Sequence, residues 1–343
     1  MAMIHKAVGD PVESLTDETL LAVLILGLYE RLKAKAVGSR LTLAHDAGAV
    51  ALLKHRGKKL NTRSQAAITL TQAVHAQLVG HAFDTSTDSG EDLGDSLETL
   101  VDLPQNTSSR LTVISVHLVH LRRDADLILN GEASDTKIIE LLNQATQLDQ
   151  ILTAWAISVP REWKFTATDN FELPKSVPRE TFIYKDRVDV YEDLVVASIW
   201  NSYRVNRIRV LSIVCDCIDA LPPLPTTLLK SRRELAYVTM QKLADDICAS
   251  VPFFLGTKMC AGTDDKPSVE YPYTTSKPNK AHRRSAAGAG GYNLIEPFHE
   301  PLKSVLGISS LRAGQKEWIL GQLARIGHLY SMEPSAISAL SSA

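Results

Sequence analysis

Apolar side chains recur every three or four residues along most of this chain, the spacing that gathers them on one side of an α-helix. The clearest run is Tyr191 to Leu221, in which Val196, Ile199, Trp200, Tyr203, Ile208, Leu211, Val214, Cys215 and Ile218 form one stripe. No Gly or Pro interrupts it before Pro222 and Pro223, which lack the amide hydrogen a helix needs. At the usual rise per residue such a helix is about 40 Å long. Val195, Val205 and Val210 widen the stripe, so the pattern predicts a central helix covered by neighbours on two or more sides. Arg204, Arg207 and Arg209 lie in the same stretch and must reach water or find carboxylates, because an unpaired buried guanidinium is prohibitively costly.

The remaining segments repeat the helical pattern. Thr16, Asp17 and Glu18 put a capping hydroxyl and two acids at the start of the first strong helix, and Gly38 lies just beyond its end. Within it, Leu20 to Tyr29 is the most hydrophobic run of the chain, flanked by Asp17, Glu18, Glu30 and Arg31. That run is too short to span a bilayer and reads as a buried helix. A small-sided helix from about Leu41 to Arg56 follows Ser39, ends at Gly57 and carries Ala44, Ala47, Gly48, Ala49 and Ala51, which let a neighbouring backbone come close. Helices are predicted over Ser64 to Phe83, Leu111 to Leu129, Lys137 to Ile157 and Leu229 to Ser250. The segment from Trp155 to Glu180 is punctuated by prolines and is expected to be a long extended connector. Two polar stretches, 84–98 and 262–291, are predicted to be mobile loops. The expectation is an all-α fold: one multi-helix domain over residues 1–343, packed around the long central helix, with no sheet beyond an incidental pair of short strands.

Composition adds limits. The chain has 343 residues, 45% of them hydrophobic, and a formal charge of −2, the balance of an ordinary soluble globular protein. Near-neutrality gives no global attraction to nucleic acid or to an anionic membrane. The first residues, MAMIHKAVGDPVES, contain no apolar signal core. Four cysteines in this length point to a reducing compartment and no disulfide framework.

Several phrases together resemble one family. In chain order these are DETLLAVLILGLYE, AHDAGAVALLKHRG, the Trp155 and Trp163 pair around Pro160, VYEDLVVASIWNSYRVNRI, ADDICASVPFFLG, GGYNLIEPF and WILGQLARIG. They resemble the regulatory region of fungal transcription factors that carry a zinc binuclear cluster, from about Leu15 to Leu340. The resemblance implies an all-helical domain concerned with effector sensing, self-association and control of activation. It further implies a nuclear location, with the cytoplasm as the alternative, and an apolar small-molecule effector, a homodimer or a transcription-factor partner. The chain departs from the pattern in having no six-cysteine cluster ahead of this region and in Glu296 between Ile295 and Pro297, where the family usually has an apolar or aromatic residue.

Candidate chemistry is sparse. Cys215 and Cys217 are two apart on a helix, while Cys248 and Cys260 stand alone, so they cannot form a binuclear zinc site. Direct sequence-specific DNA binding is therefore not expected, and Cys215 and Cys248 read as core. His117, His120 and Asp124 share a helix face, yet a solvated edge beside Arg122 and Arg123 explains them without a metal. The acidic loop from Asp84 to Asp95 lacks the glycine and the final glutamate of a calcium loop. Lys277, Lys280, Arg283 and Arg284 form a small basic cluster of the kind that serves nuclear import. No catalytic or dinucleotide motif is present, and no cofactor, metal or catalytic residue is expected. The alternative to a regulatory protein is an enzyme that processes small molecules on the same scaffold, with Tyr203, His45 or Asp245 as acid or base. Another alternative is that the chain is the C-terminal part of a full zinc-cluster factor. The candidate ligand site is Trp200, Tyr203 and Arg204, where two flat apolar walls adjoin a guanidinium able to hold an acidic or carbonyl group.

Overall fold

The computed structural model describes residues 2–38, 44–84, 99–131, 133–168, 182–222, 227–255, 290–295 and 300–341. Among these the fold is all-α, with one two-stranded sheet. The predicted loops at 84–98 and 262–291, Cys260, the basic cluster at 277–284 and Glu296 lie almost wholly or entirely outside the described residues. The chain separates into two compact units, Met1–Val116 and His117–Ala343.

In the first unit, α1 (Ala2–Gly9) and a 3-10 turn (Glu13–Leu15) lead into α2 (Asp17–Val37). α2 begins where the pattern places it, because Thr16 Oγ1 accepts the Thr19 amide hydrogen at 3.2 Å. It ends at Gly38, whose φ of 64° is the left-handed conformation a glycine adopts without strain. Leu20, Val23 and Leu24 pack on Ala49, Leu52 and Leu53 of α3 (Ala44–Asn61) and on Val74 of α4 (Gln65–Asp84). The helix expected to end at Gly57 instead kinks there, where φ is 71° and ψ 166°, and resumes to Asn61. Arg56, buried beside this kink, donates to Thr16 O at 2.7 Å and to Asn61 Oδ1 at 3.1 Å, and also pairs with Asp17. Although burial works against the Asp17 carboxylate, Arg56 and Arg63 hold its pKa below the usual range.

The run Leu20 to Tyr29 is buried on one side only. Leu21, Ile25, Leu28 and Tyr29 are 45%, 55%, 38% and 58% exposed, so α2 carries a second apolar face directed outward. On the inner face, Gly27 lies against Asp46, which pairs with Arg31 at 3.0 Å. A Cβ on Gly27 would stand 2.6 Å from Asp46 Oδ1. Glycine to alanine in an ordinary helix gains about 1 kcal/mol. Here Gly27→Ala is expected to give a net loss of about 1–2 kcal/mol in urea unfolding, because the buried pair must shift.

His75 on α4 is 6% exposed, and among the described residues neither ring nitrogen has a hydrogen-bond partner. Burial lowers its pKa from 6.5 to about 4. Its imidazole is neutral in both folded and unfolded chains above pH 6.5, whereas between there and pH 4 only the unfolded chain takes up the proton. Stability is therefore intact above 6.5 and falls as pH drops toward 4, by about 3 kcal/mol from this group. Urea titrations between pH 7 and 4 should show that loss, and His75→Leu should remove it.

α5 (Thr107–Leu129) runs across the boundary at Val116. The second unit continues with α6 (Asp135–Ser158), a 3-10 turn (Arg161–Trp163) and β1 (Thr166–Thr168), which pairs antiparallel with β2 (Val188–Val190). Opposite residues are Thr166 and Val190, Ala167 and Asp189, Thr168 and Val188. The predicted central helix is α7 (Leu194–Ala220). It starts three residues later than the pattern suggested, because Asp193 caps it by accepting the Val196 amide hydrogen at 2.8 Å. α6 and α8 (Thr227–Leu255) cover it on two sides. Short helices α9 (Tyr292–Ile295) and α10 (Pro301–Leu306) then precede α11 (Gln315–Leu329) and α12 (Pro334–Ser341).

Candidate functional site

Trp200, Tyr203 and Arg204 follow one another on the inward side of α7, within three and four residues, and all are buried. Arg204 is 1% exposed. Its Nη1 donates to Tyr191 Oη at 2.6 Å and to Asn201 Oδ1 at 2.8 Å, while Nη2 donates to Asp189 Oδ2 at 3.2 Å. Asp189 also accepts from Arg187, at 2.9 Å from Nε and 3.0 Å from Nη2. Arg187 Nη1 in turn reaches Asp246 Oδ1 of α8 at 2.7 Å. Asn201 completes the chain by donating to Ser250 Oγ at 3.0 Å. The result is a connected polar knot joining β2, α7 and α8.

Aromatic rings enclose the knot. The guanidinium carbon of Arg204 lies 4.9 Å from the centre of the Phe165 ring and 5.7 Å from that of Tyr191, close enough for cation–π attraction in a dry site. Trp200 meets Trp155, Phe165 and Tyr203 edge to face at 5.6, 5.1 and 5.6 Å. Trp200 Nε1 donates to Trp163 O at 2.7 Å, so the segment expected to be a long extended connector, helical to Ser158 and outside the described residues from 169 onward, supplies a hydrogen-bond acceptor to the core. Tyr203 stacks on Trp155 at 5.3 Å, and its hydroxyl accepts from Arg207 at 3.1 Å. Arg207 also clasps Asp149 of α6 with contacts of 2.6 and 3.2 Å.

The electrostatics follow from burial and pairing. Burial opposes the charge on Arg204, but Tyr191 and Asp189 outweigh it and raise its pKa, keeping the guanidinium charged. Burial pushes the Tyr191 hydroxyl upward, so it stays a neutral phenol at any physiological pH. The arrangement positions one permanent cation among a carboxylate, an amide and a phenol, in surroundings where each unmatched partner is expensive.

The sequence brought out Trp200, Tyr203 and Arg204, and the structure groups them. The sequence reading missed Asp189, Asn201 and the role of Tyr191. A signal was present in Arg187-Val188-Asp189-Val190-Tyr191, whose alternation puts three polar side chains on one side of a strand. Tyr203 lies in the aromatic cluster, while Asp245 belongs to a different group, accepting from Gln241 Nε2 at 3.0 Å and Gln315 Nε2 at 3.1 Å. His45, in the first unit, has its Nδ1 2.7 Å from Glu30 Oε2. Burial raises the Cys215 and Cys217 thiols to about 11 and that of Cys248 to about 12, which keeps them from thiolate chemistry at neutral pH. Among the described residues no group of three His, Cys, Asp or Glu side chains is placed to hold a metal ion. No helix there is long and apolar enough to cross a membrane.

A concave apolar surface lies in the first unit. It is a hollow of about 410 Å³ between the N-terminal turns of α2 and α4, floored by Leu21, Ala66 and Leu70 and rimmed by Asp17, Glu18 and Gln65.

No family profile matches this chain, and no solved structure matches it. The chain is distantly similar to a fungal transcription factor, and its described residues are all-helical apart from one two-stranded sheet. That protein is the transcription factor dbaG of Emericella nidulans, 23% identical over 257 residues, which are 74% of this chain and 57% of dbaG. The chain thus spans little more than half the length of that protein.

Proposed function

We propose that this chain is a non-catalytic transcription-regulatory domain, acting in the nucleus through a bound partner protein, an apolar effector or both. The observation that supports it is the similarity to a transcription factor over 257 residues in a fold that is all-helical. Contact with specific DNA sequences is assigned to a partner or to a separate module, because the net charge of −2 gives the chain no global attraction to a phosphate backbone.

The effector reading centres on Trp200, Tyr203 and Arg204. An acidic apolar ligand would exchange places with Asp189 or Tyr191 at the guanidinium and slide along the Trp155 and Phe165 rings, so binding would be coupled to rearrangement of the knot. Tethering tests the regulatory role itself. With the chain fused to an unrelated DNA-binding module, transcription of a reporter carrying that module's site is expected to change several-fold relative to the module alone. A stably expressed fusion with the output of the bare module would overturn the proposal.

A further inference from the structure

The outer face of α2 calls for a partner. Its exposed positions are Glu18, Leu21, Ile25, Leu28 and, alongside them, Tyr29 and Lys33. Leu32 is half-buried and continues the row. The spacing of 18, 21, 25, 28 and 32 alternates three and four residues, which is the seam along which two helices pack over their whole length. The opposite face of the same helix packs Leu20, Val23 and Leu24 into the core, so Leu21, Ile25 and Leu28 of the second stripe are left exposed.

From this we propose that α2 pairs with α2 of a second copy of the chain, antiparallel and about a two-fold axis at Ile25. The charges select that occupant and that direction. Glu18 is at the N-terminal end of the stripe and Lys33 at the C-terminal end, and neither is ion-paired among the described residues. Antiparallel pairing centred on Ile25 brings Glu18 of each copy beside Lys33 of the other, twice over, whereas parallel pairing would set like charges together. The helix dipoles also oppose one another in this arrangement, which is favourable. Leu21 then stands across from Tyr29 of the second copy. Leu21 borders the 410 Å³ hollow whose floor continues with Ala66 and Leu70, and that hollow has ample room for a phenol ring, with Gln65 and Thr69 at hand for its hydroxyl. The surface is self-complementary, as a two-fold interface must be.

This inference does not rest on the regulatory role. Sedimentation of the full chain between about 1 and 100 µM is expected to show a monomer–dimer equilibrium. Ile25→Glu places two carboxylates at the axis and should weaken dimerisation about thirtyfold or more, while the melting midpoint of the monomer stays unchanged because the residue is exposed. Glu18→Lys and Lys33→Glu should each weaken the dimer, and the double variant should restore it, since the swapped charges again meet across the axis. A chain that stays monomeric throughout this range, a dimer indifferent to Ile25→Glu, or a double variant no stronger than either single one would overturn the proposal.

Discussion

Asp189→Ala is expected to destabilise the second unit by about 3–5 kcal/mol, the cost of leaving a buried charge without its counterion. Asp189 is 0% exposed and Arg204 1%, so water cannot replace the lost carboxylate without opening the core. Tyr191 and Asn201 would still accept from Arg204 Nη1, but neither carries charge. Against a total stability of about 5–15 kcal/mol for a domain, such a loss should be plain in a denaturant titration. Pairing Asp189→Val with Arg204→Met removes both charges and should recover much of the loss, since it is the unmatched ion that is costly. Arg204→Ala alone should also destabilise. The effector proposal adds that acidic apolar metabolites raise the melting midpoint of the unsubstituted chain and that Arg204→Ala, beyond its own destabilisation, abolishes that increase.

Trp200→Ala should cost about 3–5 kcal/mol as well, by a different mechanism. The indole fills the angle between α6, α7 and the segment before β1, touching Trp155, Phe165 and Tyr203 at ring separations of 5.1 to 5.6 Å. Its removal leaves a cavity bordered by three aromatic rings that cannot all collapse inward. Trp200→Phe separates the two contributions. It keeps most of the apolar contact but strands Trp163 O, which accepts from Trp200 Nε1 at 2.7 Å, and should cost about 1–2 kcal/mol. An unchanged unfolding midpoint for Trp200→Ala would mean that the ring is not part of the packing that holds the unit together.

Helices were legible in the sequence because each has one apolar stripe and recognisable ends. Thr16 and Gly38 bound α2, Gly57 kinks α3, and the apolar stripe of α7 is covered on two sides. Leu20 to Tyr29 shows where the pattern is silent. When almost every position is apolar, periodicity cannot distinguish a helix buried all round from one with a second, outward face, and exposure at Leu21 and Ile25 follows from which neighbours pack where. The partners of Arg204 were hidden for a related reason. The need for a carboxylate could be read from the helix, but its source lies on a short strand 15 residues earlier, brought in by a β1–β2 pair too brief to announce itself. The hollow between α2 and α4 depends on the gap between two helix ends, which no single segment encodes.

α7 and the knot around Arg204 hold the second unit together. Native-state hydrogen exchange tests this role most directly, because amides that open only on global unfolding exchange slowest. Within His117–Ala343 the slowest amides are expected to be those of α7 between Trp200 and Cys215, with the facing turns of α6 and α8 close behind. Asp189→Ala should speed all of them together. Amides of α7 that exchange as fast as those of α12, or that are unaffected by Asp189→Ala, would contradict it.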